Sequence, residues 1–170
     1  MKNVRNSILS GLAFGLVLGL FFAFRYGIHY AIIAGTVSGL AFGIAIYFFV
    51  TSKIVKRQTQ IQNVDKNEIL LSCGANHFKN GEAVGGKLYL LTDKLQFKSH
   101  NFNIQNHGLE IPLGQISQTR FFNTLGFIPN GLEIDTNDGQ IEKFVVSDRK
   151  KWREEIEKNK YRAYINFAIL

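Results

Sequence analysis

The sequence predicts an α+β chain in which two long helices form a hairpin ahead of a small antiparallel β-barrel or sandwich closed by one C-terminal helix. Three observations carry this. Two apolar runs free of acidic residues each contain the phrase SGLAFG, at Ser10 to Gly15 and again at Ser38 to Gly43. From Glu68 onward, short runs alternate apolar and polar residues between turn-forming residues. A charged stretch, RKKWREEIEKN, follows the last of these runs.

The 170 residues are 46% hydrophobic, and a mean hydropathy near zero averages over two unlike parts. Residues 1–60 hold six basic residues (Lys2, Arg5, Arg25, Lys53, Lys56, Arg57) and no Asp or Glu, whereas residues 61–170 hold 14 basic and 13 acidic residues. Nearly all of the net charge of +7 is therefore N-terminal. Nucleic-acid binding needs Lys and Arg massed on a folded face, so no nucleic-acid partner is expected. The single Cys73 excludes an intramolecular disulfide and fits a reducing compartment.

The first apolar run, Ile8 to Phe24, is uncharged over 17 residues and would span about 26 Å as a helix. Arg25 can snorkel to complete a crossing. The second, Ile28 to Val50, has 23 residues and would span roughly 34 Å. Phe21, Phe22, Tyr26 and Tyr30 gather at one end and Tyr47, Phe48 and Phe49 at the other, as aromatic rings do at headgroup level. A cleavable signal peptide is the competing account of the first run, with Lys2 and Arg5 as its basic region. It is disfavoured because no A-x-A site follows and a second span comes almost at once.

Gly11, Gly15 and Gly19 in the first run and Gly35, Gly39 and Gly43 in the second each form a GxxxGxxxG ridge. If the chain folds back at Gly27, level residues have numbers summing to 54, which pairs Gly19 with Gly35, Gly15 with Gly39 and Gly11 with Gly43. Lipid offers helices no hydrophobic gain on association, so close backbone approach at residues lacking Cβ holds such a pair together. The ridges are expected to pack within one hairpin. A face between copies of the chain, giving a homo-oligomer, is the rival reading, and a general abundance of glycine in membrane helices is the bland one.

Lys2 and Arg5 precede the first run and Lys53, Lys56 and Arg57 follow the second, against Arg25 alone in the turn. The bias of basic residues places both ends on the cytoplasmic side of a cell membrane. The expected organisation is a transmembrane hairpin over residues 1–57 with helices at about 8–24 and 28–50, a polar linker QTQIQNVDKN over 58–67, and a folded domain over 68–170.

In KLQFKSH, Leu95 and Phe97 alternate with Lys94, Gln96 and Lys98, and in GLEIDT, Leu132 and Ile134 alternate with Glu133 and Asp135. Such strands bury one face. Asn137-Asp138-Gly139 suits a tight hairpin leading into IEKFVV. ILLSCGANHF, GKLYLL, LEIPL and QISQTRFF bring the number of strands to about seven, the pattern of a small sandwich or barrel. Ser147 or Asp148 can cap the final helix, in which Glu154 and Lys158 form an i, i+4 pair. Trp152, Ile156 and Ala163 fall on one side, which predicts that the helix closes one end of the barrel.

Seven strands and a C-terminal helix are the plan of a pleckstrin-homology-like domain, and GGKLYLLTDKLQFKSHNFNIQNH, IPLGQI, NTLGFIPNGLEI and EKFVVSDRKKW resemble the GRAM domain family over roughly residues 66–158. The resemblance implies a barrel that binds membrane lipid or protein partners and performs no catalysis. It transfers no ligand residue by residue.

His77, His100 and His107 with Cys73 match no compact metal pattern and read as solvated loop histidines. No metal or cofactor is expected. Nothing in the sequence places Glu82 and Asp93 together as an acid and base. GEAVGG lacks the context of a phosphate loop, and Gly126 and Asn130-Gly131 read as turns. Lys79, Lys87, Lys94 and Lys98 lie in the first strands and the loop joining them, where the resemblance implies that anionic headgroups are received, at about 1 kcal/mol for each basic residue near an anionic leaflet. Glu82 and Asp93 are interleaved and subtract from this, and ordinary solvated lysines are the favoured reading. The expected function is a membrane-anchored, non-catalytic module binding a protein partner or anionic lipid at the cytosolic face. The alternative is a glycine-zipper oligomer for which the barrel is a regulatory domain.

Overall fold

The computed structural model describes residues 2–62 and 64–168, with side chains for 3–62 and 64–161. The chain divides into two compact units, residues 1–57 and 58–170.

The first unit is a helix pair. Helix α1 runs Lys2–Tyr26 and α2 Ile28–Thr51, both extending past the apolar runs. Only Gly27 lies between them, at φ 92°, a left-handed value that glycine takes without a Cβ penalty. The ridges meet backbone to backbone. A Cβ on Gly15 would stand 2.5 Å from Gly35 O and 3.0 Å from Gly39 Cα, and one on Gly11 would stand 2.6 Å from Gly39 O and 3.1 Å from Gly43 Cα. Gly19 is looser, 3.5 Å from Gly35 Cα by the same measure. Phe14 and Phe42 stack across the pair at 4.4 Å. Away from the ridges the surface is apolar and open, with Val17 68% and Val37 62% exposed. A short helix, α3, covers Lys53–Gln58.

The second unit is a curled sheet. After a 3₁₀ turn at Lys66–Glu68, the strands are β1 Ile69–Lys79, β2 Glu82–Leu91, β3 Lys94–Ser99, β4 Gly108–Pro112, β5 Ile116–Thr124, β6 Ile128–Thr136 and β7 Ile141–Val146. All pair antiparallel in the order β4-β3-β2-β1-β7-β6-β5. The expected fold is therefore observed: two apolar helices, seven strands and a closing helix. That helix, α4, runs Arg149–Ala168 and begins at Asp148, whose carboxylate accepts from Lys151 N. Trp152 and Ile156 enter the core against residues such as Phe97, Leu132 and Phe144. Ala163 lies outside the residues whose side chains are described.

Two local readings change. Asn130-Gly131 is not a turn but part of β6, where Gly131 lies beneath the Phe122 ring so closely that a Cβ would stand 2.6 Å from it. The turn sits earlier, at residues 125–127. The stretch read as a polar linker also packs: Thr59 and Ile61 are buried, Ile61 lies with Tyr89 and Leu91, and Tyr89 Oη donates to Thr59 O at 2.9 Å.

Candidate functional site

The four lysines do not form one cluster. Lys87 and Lys98 are direct partners across β2 and β3, on the sheet face away from the core. Lys87 lies 4.7 Å from the centroid of the Tyr89 ring, and Lys98 donates to Gln60 O at 2.9 Å, pinning the segment that crosses this face. Lys94, further along β3, is held by Glu110 at 2.8 Å, and that hydrogen bond raises its pKa. Lys79 stands at the end of β1, opposite Glu82. Counting alternation from the pair Gly74 and Lys87 puts it on the other sheet face from Lys87.

Glu82 opens β2 and Asp93 lies just past the strand's other end, so the two cannot act together. Glu82 instead shapes the loop between β3 and β4, its carboxylate accepting from Ile104 N at 3.1 Å and Gln105 N at 3.0 Å. The same loop is tied to β2 by Asn103, which accepts from Gly85 N and donates to Gly85 O, both at 2.8 Å.

The histidines are the main correction. His77 is 2% exposed on β1, not solvated, and stacks 4.7 Å from Phe144. Its Nε2 is 2.6 Å from Glu142 Oε2 and its Nδ1 is 2.7 Å from His107 Nε2. With the Glu142 carboxylate accepting from His77 Nε2–H, a neutral His77 accepts at Nδ1 from His107 Nε2–H. This leaves His107 Nδ1 buried without a partner. The reverse arrangement, with His77 charged, would bury an N–H donor there, the costlier orphan. Burial holds His107 below its usual pKa, and the Lys79 ammonium acts in the same direction against the Glu142 and Glu82 carboxylates. Sequence reasoning missed this chain because its members lie on β1, on β7 and beside β4, and only the strand order unites them. Among the described residues no three His, Cys, Asp or Glu side chains are placed to hold a metal ion.

The curled sheet thus carries a buried polar chain and lysines on both of its faces. Solved structures resemble it only at the level of fold. The C-terminal domain of an unknown protein from Leishmania infantum has a TM-score of 0.48 and 14% identity, covering 55% of this chain and 84% of that one. The DH/PH domains of p115-RhoGEF (R399E mutant) have a TM-score of 0.46 and 15% identity, covering 80% of this chain and 48% of that one. The chain thus spans about half the length of that structure. Among curated proteins none matches at a significant level. The GRAM domain model matches residues 55–166, well over half of the sequence and the whole of the curled sheet, so the chain belongs to the GRAM domain family.

Proposed function

We propose that this protein is a membrane-anchored, non-catalytic interaction module. In this reading residues 1–57 are the anchor, residues 58–170 are the GRAM domain, and both termini and the domain lie at the cytosolic face of the cell membrane. The supporting observation is the surface of the helix pair. Its glycines meet inside the pair, and many of its large apolar side chains point outward, with Leu12, Leu16, Ile32 and Leu40 each more than 60% exposed. A monomeric soluble protein rarely carries so continuous an apolar surface, whereas a bilayer solvates it. The domain that follows belongs to a family of lipid and protein interaction modules. Anionic headgroups or acidic protein segments are its proposed ligands. Lys87 and Lys98 are the pair best placed to meet one anionic group, and Lys79 and Lys94 are secondary. Labels at residues 2 and 165 are expected to react only from the cytoplasmic side of intact cells; labelling from opposite sides, or release of the chain by alkaline extraction, overturns the reading.

The glycine-zipper oligomer gains less support. Each ridge is already filled by the other ridge of the same chain, so a homo-oligomer would have to use a different face.

A further inference from the structure

The turn between β5 and β6 combines strain with exposure. It holds Leu125 at φ 53° and Gly126 at φ 82°. Left-handed backbone suits glycine and is tolerated by Asn and Asp, the residues at the other positive-φ positions, Asn80 and Asp148. Leucine has no such excuse. The Leu125 side chain is 77% exposed and Phe127 beside it is 74% exposed. A position whose backbone favours glycine and whose surroundings favour a polar group carries a large apolar side chain, and the domain itself gains no burial from it.

Behind this tip stand cations on aromatic rings. Arg149 donates to Phe122 O and to Asn123 Oδ1, and its guanidinium lies 4.8 Å from the Phe121 ring, with that of Arg153 at 5.2 Å from the same ring. Lys143 lies 5.7 Å from the Phe122 ring and is held by Glu133 at 3.0 Å. Among the described residues neither Arg149 nor Arg153 forms an ion pair with a carboxylate. The order from tip to base is apolar, then aromatic and cationic. This is the order in which one leaflet presents hydrocarbon, interface and anionic headgroups.

We propose that the β5–β6 hairpin dips into an anionic bilayer surface, Leu125 and Phe127 entering the hydrocarbon edge while Arg149 and Arg153 bind headgroup phosphates. A protruding tip of two large side chains suits a deformable apolar phase better than a preformed protein groove, and guanidinium groups that no carboxylate neutralises among the described residues complement negative lipid. The other exposed apolar loop, with Phe102 and Ile104, has the Glu82 carboxylate at its base where the hairpin has arginines. The proposal rests on the reading of residues 1–57 as a bilayer anchor, which holds the domain within reach of a membrane.

The test uses the full chain carrying Phe127→Trp in nanodiscs of phosphatidylcholine with or without phosphatidylglycerol. The emission added by the new tryptophan is expected to be blue-shifted and quenched by brominated acyl chains, more strongly with phosphatidylglycerol. Arg149→Gln with Arg153→Gln should lower the quenching severalfold. Leu125→Asn suits the turn, so it should raise the thermal midpoint while weakening the same quenching. A chain that fails to enter discs overturns the anchor and this inference together. A chain that enters them with residue 127 in water overturns the inference alone, and so does shielding of residue 127 from a soluble quencher without bromolipid quenching, which would mark a protein contact.

Discussion

His107 is a residue whose environment fixes its charge. Burial lowers its pKa from 6.5, so the folded domain keeps it neutral while an unfolded chain takes up the proton first. The stability contributed by this preference is present above about pH 6.5 and is lost as pH falls through the lower folded value. The thermal midpoint of the protein in detergent is expected to fall between pH 7.5 and 5, and His107→Gln, whose amide can still donate to His77 Nδ1, should flatten that decline. An unchanged slope in the variant would mean that other groups cause it. The chain of Glu142, His77 and His107 was illegible beforehand because its partners are 30 and 65 residues from His77 in sequence. The lysines were legible as residues but not as a site, since strand alternation sends Lys79 to a different face from Lys87.

Helices α1 and α2 show the opposite case, in which spacing alone carried the structural information. Glycines one turn apart define a stripe, and a one-residue turn at Gly27 brings the two stripes level. Replacing Gly15 with Leu drives a side chain into the backbone of α2 and is expected to cost about 1–3 kcal/mol. Cysteines at 15 and 39, with Cys73 removed, should cross-link within one chain, and cysteines at the outward-facing Val17 and Val37 should do so far less. Dimers on a non-reducing gel from the 15 and 39 pair would shift the glycines to an interface between copies. The β5–β6 hairpin was harder to read. Asn130-Gly131 carries the general signature of a tight turn, yet Gly131 is needed where a ring crosses the strand, and the true turn contains a leucine that no turn preference selects.

At the scale of the molecule, the alternation of apolar and polar residues made the strands and their closing helix legible, because each strand buries only one face. The covering of the outer face of β2 was not, since the run before Glu68 shows no periodicity although Ile61 packs on Tyr89 and Leu91. A domain beginning at residue 58 is therefore expected to be better folded than one beginning at 68. Loss of Ile61 burial alone should cost about 1.5–3 kcal/mol, readable as a lower urea midpoint for the shorter fragment; equal midpoints would show that the covering segment adds nothing. Strand β1 also has a history during synthesis. Its second edge pairs only with β7, Ala75 meeting Val146, so the two halves of the sheet are joined by residues at opposite ends of the domain. Roughly 65 residues separate the end of β1 from the end of β7, and at about 5–20 residues per second a ribosome leaves that edge open for several seconds. Unpaired edges recruit other strands, so the nascent chain passes through a sticky interval that ends only when residues 141–146 emerge, and a chain stopped at residue 140 should aggregate where the finished one does not.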